Sequence, residues 1–187
     1  DPHSGAAVLG CPACAALGWF WDDGIVCLSG MASMRVAREF AAFGAWESGD
    51  VVLTLPSNSA IYAAGEKDRI VMRDSSEPFT LLLTRGTADR LRFPLLRIDR
   101  VFTLAPPEPR PIDIPVPPIG RDGTLLWDDV DPAAAPPVGA QYAVSGRKRP
   151  EFYLFTDLPQ DRAHFGGAAL PRRVQARRFD LFGRGGG

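Results

Sequence analysis

The chain has 187 residues, 45% of them hydrophobic, and a formal net charge of −1, which allows one domain, or one domain with appendages, around a sizeable core. The near-neutral balance argues against a generally basic nucleic-acid binder and leaves only local patches, and no apolar run approaches the ~20 residues that a membrane span needs. Three cysteines suit a reducing compartment better than a disulfide framework, and 18 prolines with 19 glycines favour short strands, turns and extended segments over long helices.

In chain order, residues 1–10 read as a flexible arm, and no secretory signal pattern opens the sequence as given. Residues 17–28 read as a hairpin, "LGWFW" and "IVCL" around the tight-turn signal "DDG". In "ASMRVAREFAAFG" (32–44), Val36, Phe40 and Phe43 fall at i, i+4 and i+7 and predict one short amphipathic helix, with Ser33 as N-cap and Gly44 as stop. From 49 to 104 the period changes to that of strands, expected at 50–55, 59–65, 68–74, 78–86 and 95–104. Phe79, Leu81 and Leu83 share one expected face. So do Leu96, Ile98, Phe102 and Leu104, interrupted by Arg100. Residues 105–120 carry seven prolines and should be an extended, polyproline-like arm that cannot be a central strand. It is either a semi-rigid linker or an arm laid across a neighbouring subunit; alternating Ile112, Ile114 and Val116 favour the second. Strands are expected again at 123–128, 140–146, 151–158 and within "RVQARRFDLF".

The fold class expected from this pattern is mainly β: a small antiparallel β-barrel or sandwich with one short helix, an extended Pro-rich arm and an N-terminal zinc-ribbon-like hairpin. The sequence divides as 1–31 (arm and Cys-containing hairpin), 32–104 (helix and β core), 105–120 (Pro-rich arm) and 121–187 (β module with a basic tail).

The cysteines carry the first candidate site. A Cys-x-x-Cys knuckle sets two thiolates on one tight turn, where they can occupy two corners of a zinc tetrahedron. Cys11, Cys14 and Cys27 would supply three ligands. Gly30 stands where a regular second knuckle would place the fourth, so His3 is the candidate to complete a Zn2+ site. Two other readings stay open: the cysteines are small buried hydrophobes, or Cys11 and Cys14 form a redox pair, although an apolar hairpin follows them where such pairs normally open a helix.

Signals for catalysis are few. His3 and His164 are the available histidines. His164 has Asp157 and Asp161 near it in sequence but no nucleophile elbow, and it is expected as an exposed loop residue. There is no phosphate-binding loop or dinucleotide fingerprint. The chain is therefore expected not to be an enzyme. From 146 onward nine basic residues stand against four acidic ones, so the rest of the chain is net acidic. Such an asymmetry can serve subunit contact or phosphate contact, and Arg172, Arg173, Arg177 and Arg178 are the candidate contact residues. Phe152, Tyr153, Phe155 and Phe179 could stack bases, but at strand spacing they read more simply as core.

"GTLLWDDVDPAAAPPVGAQYAVSGRKRPEFYLF" and "DLPQDRAHFGGAALPRRVQARRFDLFGR", together with "WESGDVVLTLPSNSAIYAAGEKDRIVMRDSSEPFTLLLTRG", resemble structural proteins of tailed-bacteriophage and prophage morphogenesis modules. The resemblance covers roughly 45–184 and is to neck (head-to-tail connector) proteins, best to a stopper, or head-closure, protein. It implies a virion protein, assembled in the bacterial host cytoplasm, that forms a homo-oligomeric ring between portal or adaptor proteins and the tail, with non-specific contact to DNA in the channel and no membrane partner. A tail terminator, a baseplate component and a zinc-ribbon nucleic-acid-binding module are the alternatives. The "CPAC" region is not part of the neck pattern.

Overall fold

The computed structural model describes residues 23–31, 47, 49–105, 110–158 and 164–181. They are mainly β. The chain divides into two compact units, Asp1–Arg69 with Tyr153–Gly187, and Ile70–Phe152 between them. This division follows contacts, whereas the four-part division above follows composition along the sequence. The amphipathic helix expected at 32–44 lies outside the described residues.

The first unit is built on an antiparallel sheet. Its strands are β1 (Gly30–Met31), β2 (Val51–Leu55), β3 (Arg69–Val71), β8 (Glu151–Asp157) and β11 (Arg172–Arg178), in the order β1-β2-β11-β8-β3. β3 and β8 run across the division. β2 and β11 pair from Arg172↔Leu55 to Ala176↔Val51. Both strands are buried on both faces, since Val52 and Leu53 are neighbours in sequence and both inaccessible, as are Val174, Gln175, Ala176 and Arg177. A strand covered on two sides needs a nearly continuous apolar run. "VVLTL" supplies one in β2, whereas β11 has two polar residues that must find partners inside.

The second unit holds a curled antiparallel sheet of β4 (Glu77–Thr84), β5 (Leu95–Ala105), β6 (Arg110–Ile114) and β7 (Gln141–Lys148), in the order β4-β7-β5-β6. Its core is Phe79, Leu83, Leu91, Val101, Leu125, Trp127, Tyr142 and Val144. Phe79 and Leu83 point inward as the alternation predicts, and Leu81, on the same face, is only partly covered. In β5 the expected face is kept at Ile98 but not at Leu96 or Leu104. Leu95, Ile98 and Val101 face the core, and Leu96 and Leu104 are 47% and 58% exposed. The register against β7 shifts between Leu95 and Arg97 and again between Ile98 and Arg100. Each bulge adds one residue and reverses which parity faces inward. The first shift brings β5 against Gly146, where a Cβ would stand 2.3 Å from the Arg97 carbonyl oxygen.

Ladder parity explains the prolines. Arg85 N–H donates to the Ala140 carbonyl at 3.0 Å, so odd-numbered residues of β4 bond to β7. Alternation across the sheet then directs Val101, Thr103 and Ala105 of β5 toward β6. Pro111, opposite Leu104, turns its donorless nitrogen to the outer edge, where it leaves no ladder bond unmade. Part of the Pro-rich arm is thus a strand of its own sheet, at the edge and not in the centre. Residues 106–109 lie outside the described chain.

Three other expectations differ. Residues 59–65 contain a short 3-10 helix, Ala60–Ala63, in place of a strand. The stretch 123–128 makes isolated bridges, Arg90↔Thr124 and Ile119↔Leu125, and then enters the 3-10 helix Trp127–Asp129. Residues 23–29 form no strand, so the Cys27 side of the N-terminal hairpin is not a β-arm; the turn's other side lies outside the described residues. The strands at 50–55, 68–74, 78–86, 95–104, 140–146 and 151–158 are present within a few residues of expectation.

Gly146→Ala should destabilise the chain by about 1–3 kcal/mol through overpacking against the β5 backbone. Urea unfolding, with the slope unchanged and the midpoint lowered, checks this.

Candidate functional site

Of the expected zinc ligands, Cys27 is described, as a half-buried free thiol. Cys11, Cys14 and His3 lie outside the described residues. Ile25, Val26 and Leu28 beside it are exposed. Among the described residues no three His, Cys, Asp or Glu side chains come together as a metal would require.

The four arginines of β11 alternate between the two faces of the sheet, as a period of two dictates. They therefore do not make one patch. Arg172 reaches the carbonyls of Tyr62 (2.5 Å) and Ala64 (3.2 Å), pairs with Asp157 (2.6 Å) and lies over the Tyr62 ring. Asp157 thus accepts from Arg172, and His164, in the two-residue strand β9 (His164–Phe165), is exposed. Beside Arg172 a cleft of about 270 Å³ opens, lined by Gly65, Glu66, Leu154, Thr156, Asp157 and Val174. Arg178 approaches Asp180 at 3.9 Å. Arg173 is exposed, and no described side chain pairs with it.

Arg177 is the most deeply embedded of the four. Its guanidinium meets both oxygens of Asp50, whose side chain has no exposure, and reaches Glu47 at 3.5 Å. Gln175 Nε2 donates to the same Asp50 carboxylate at 2.6 Å. On its other side Arg177 lies over the Phe155 ring, 3.7 Å from the centroid. Burial works against the charged guanidinium, but the Asp50 hydrogen bonds and the charges of Asp50 and Glu47 outweigh it and raise its pKa further. Asp50 is held by its own turn: its N–H donates to the Glu47 carbonyl, its Oδ2 accepts the Glu47 N–H, and Gly49 takes the left-handed φ of 93° that closes the loop. This network fixes the entrance to β2 onto the end of β11.

The second unit has its own buried polar centre. Tyr142 Oη donates to Asp89 at 2.5 Å and accepts from Trp127 Nε1 at 3.2 Å. The Trp127 and Tyr142 rings meet edge to face at 5.0 Å. Burial, followed by the bond to Asp89, pushes the Tyr142 phenol well above its ordinary value. Arg85 completes the cluster by donating to the Pro136 carbonyl and standing over the Trp127 ring. The loops of Asp89 and Trp127 are thereby pinned to β7, and the loop of Pro136 to Arg85.

Phe152 and Tyr153 are buried and Phe155 and Phe179 half-buried, the last under Arg69, so these aromatics are core or arginine-covered and not a stacking platform. Sequence reading missed Asp50, Gln175, Asp89 and Tyr142 as partners. The one local cue was a carboxylate heading an apolar strand in "GDVVLTL".

What these centres define is a mainly β scaffold whose buried charges clamp loops to sheets. No family model matches the chain, and no curated protein matches it.

Arg177→Met leaves the buried Asp50 carboxylate without its counter-charge and should cost about 3–5 kcal/mol; chemical denaturation measures it. Tyr142→Phe should cost about 1–3 kcal/mol by orphaning Asp89 and Trp127. The phenol's folded pKa lies above its unfolded one. Its contribution is therefore complete below the unfolded value of ~10 and is lost as pH rises above it. Wild-type stability should fall more steeply than that of Tyr142→Phe on the alkaline side of this value.

Proposed function

We propose that the chain is a structural subunit of a tailed-phage virion, most closely a neck ring subunit of the stopper type that joins the portal complex to the tail. The carrying observation is that the buried ionised side chains, Asp50 and Arg177 above all, serve internal clamps that hold loops onto sheets. Such clamps suit a rigid part that must keep its shape under load. The finer fold is read as a small antiparallel barrel or sandwich. Of the described candidate residues, Arg173 is exposed and so are Ile25, Val26 and Leu28 beside Cys27, which leaves them available to neighbours. The alternative, a zinc-ribbon nucleic-acid-binding module, rests on the free thiol of Cys27.

Native mass spectrometry before and after acid denaturation, followed by mixing with heads and tails of the phage or prophage that encodes the chain, separates these readings. A neck part assembles into a ring, alone or on heads, and its affinity for free DNA is weak at every salt concentration. The ribbon module carries one zinc lost in acid and binds DNA with a steep salt dependence. A monomer that binds neither heads nor tails defeats the neck reading.

A further inference from the structure

The sheet of the second unit has two outer edges, and they are unlike. Along β6 the residues facing outward are Pro111 and Asp113, so the edge lacks a donor at Pro111. Along β4 the even-numbered residues face outward: Pro78, Thr80, Leu82 and Thr84. Thr84 is closed, because Ala88 folds back beside it and donates to its carbonyl at 2.9 Å. Pro78 offers a carbonyl and no donor. Thr80 and Leu82 offer both groups, and no described residue pairs with them at this edge. Pro78 and Thr80 are exposed, and Leu82 is 62% exposed.

We infer that this edge takes the same edge of a second copy of the chain. The open window is complementary to itself about a two-fold axis through Thr80. The two Thr80 residues exchange N–H···O bonds. Each Leu82 N–H meets the carbonyl of the partner's Pro78, which needs no acceptor in return. Ala88 excludes a register centred on Leu82, because that register would set the partner's strand where Ala88 stands. With Thr80 at the centre, the position beside Thr84 falls to the partner's Ser76, one residue before its β4 begins, so that residue alone has to turn aside from Ala88. On the outer face threonine meets threonine and the exposed Leu82 covers the partner's Pro78; cross-strand pairs of these kinds stabilise a ladder. The result is an isologous pair in which the four-stranded sheets join into one. This pairing stands apart from the neck reading and does not depend on it.

The test is the oligomeric state of the whole chain, by light scattering and native mass spectrometry. Wild type is expected to be dimeric at concentrations on the order of tens of micromolar, a range typical of modest interfaces. Thr80→Pro removes the central donor at a position whose N–H does not serve β4's own ladder, so it should give a folded monomer with an unchanged circular dichroism spectrum. Leu82→Lys keeps every backbone group and should weaken the dimer at least tenfold. A hydrogen-bonded pair has a Cα separation of ~5.5 Å, within disulfide reach of ~4.4–6.8 Å. Mild oxidation of Thr80→Cys should therefore join residue 80 to residue 80 of the partner subunit, located by peptide mass spectrometry, while Leu82→Cys should not cross-link. A chain that stays monomeric, a dimer indifferent to Thr80→Pro and Leu82→Lys, or cross-linking at 82 in place of 80 overturns the inference. A larger ring indifferent to these changes overturns it and leaves the neck reading standing. A dimer lost on Thr80→Pro that binds neither heads nor tails supports it and defeats the neck reading.

Discussion

In an antiparallel ladder each residue directs its N–H and C=O to one side only, and that alternation propagates from strand to strand. One bond, from Arg85 to the Ala140 carbonyl, sets the phase for the second unit's sheet. From it follow the residues of β7 that bond to β5, the residues of β5 that bond to β6, and the outward turn of Pro111. Side-chain direction obeys a separate alternation, and the two β5 bulges shift it so that Leu95, Ile98 and Val101 reach the core. Gly146 makes the first shift sterically feasible, since any side chain there would meet the Arg97 carbonyl.

The buried polar groups answer a related demand. A strand covered on both faces has no water with which to satisfy Gln175 or Arg177, and an unpaired charge there would be expensive. Asp50 supplies the acceptors, and its turn with Glu47 fixes the carboxylate before β2 begins. Tyr142 plays the same part in the second unit by giving Asp89 a donor and Trp127 an acceptor. In both places loops are held by polar bonds to a strand, in the second unit alongside the buried loop residues Leu91, Leu125 and Trp127. Replacing such a network with hydrophobic residues would remove the desolvation cost and with it the specificity of where the loops sit.

This arrangement sets the limit of what the sequence discloses. Strands were legible wherever β-branched and aromatic residues ran between Gly, Pro and Asp, as in "VVLTL" and "EFYLF". Short apolar runs misled where a local turn took over: "AIYA" coils into a 3-10 helix, and "GTLLWD" is divided between bridges and a turn. The inward face of β5 was not legible, because a bulge leaves no fixed mark in the sequence. The four arginines of β11 stand close in sequence, but a strand sends neighbours to opposite faces. Their partners are distant in sequence: Asp50 lies 127 residues from Arg177, and no local pattern announces such a pair. The proline run was read correctly as extended and non-central, while its docking on β5 depended on parity that only the full ladder defines.

The unlike edges bear on how copies of this chain could associate. Strand direction alternates through the four-stranded sheet, so a copy placed beside β6 in the same orientation would present its β4 antiparallel to it. Head-to-tail continuation of the sheet would then be geometrically simple, and such contacts generate rings or filaments. Pro111 works against it by removing a donor at the edge such a contact would use, and Ala88 shortens the other edge to three residues. Both features blunt open-ended strand addition, the usual hazard of exposed β-edges. These two edges therefore do not favour a ring closed through the ladder of this sheet. The short window at Thr80 is suited to a contact that terminates after one partner.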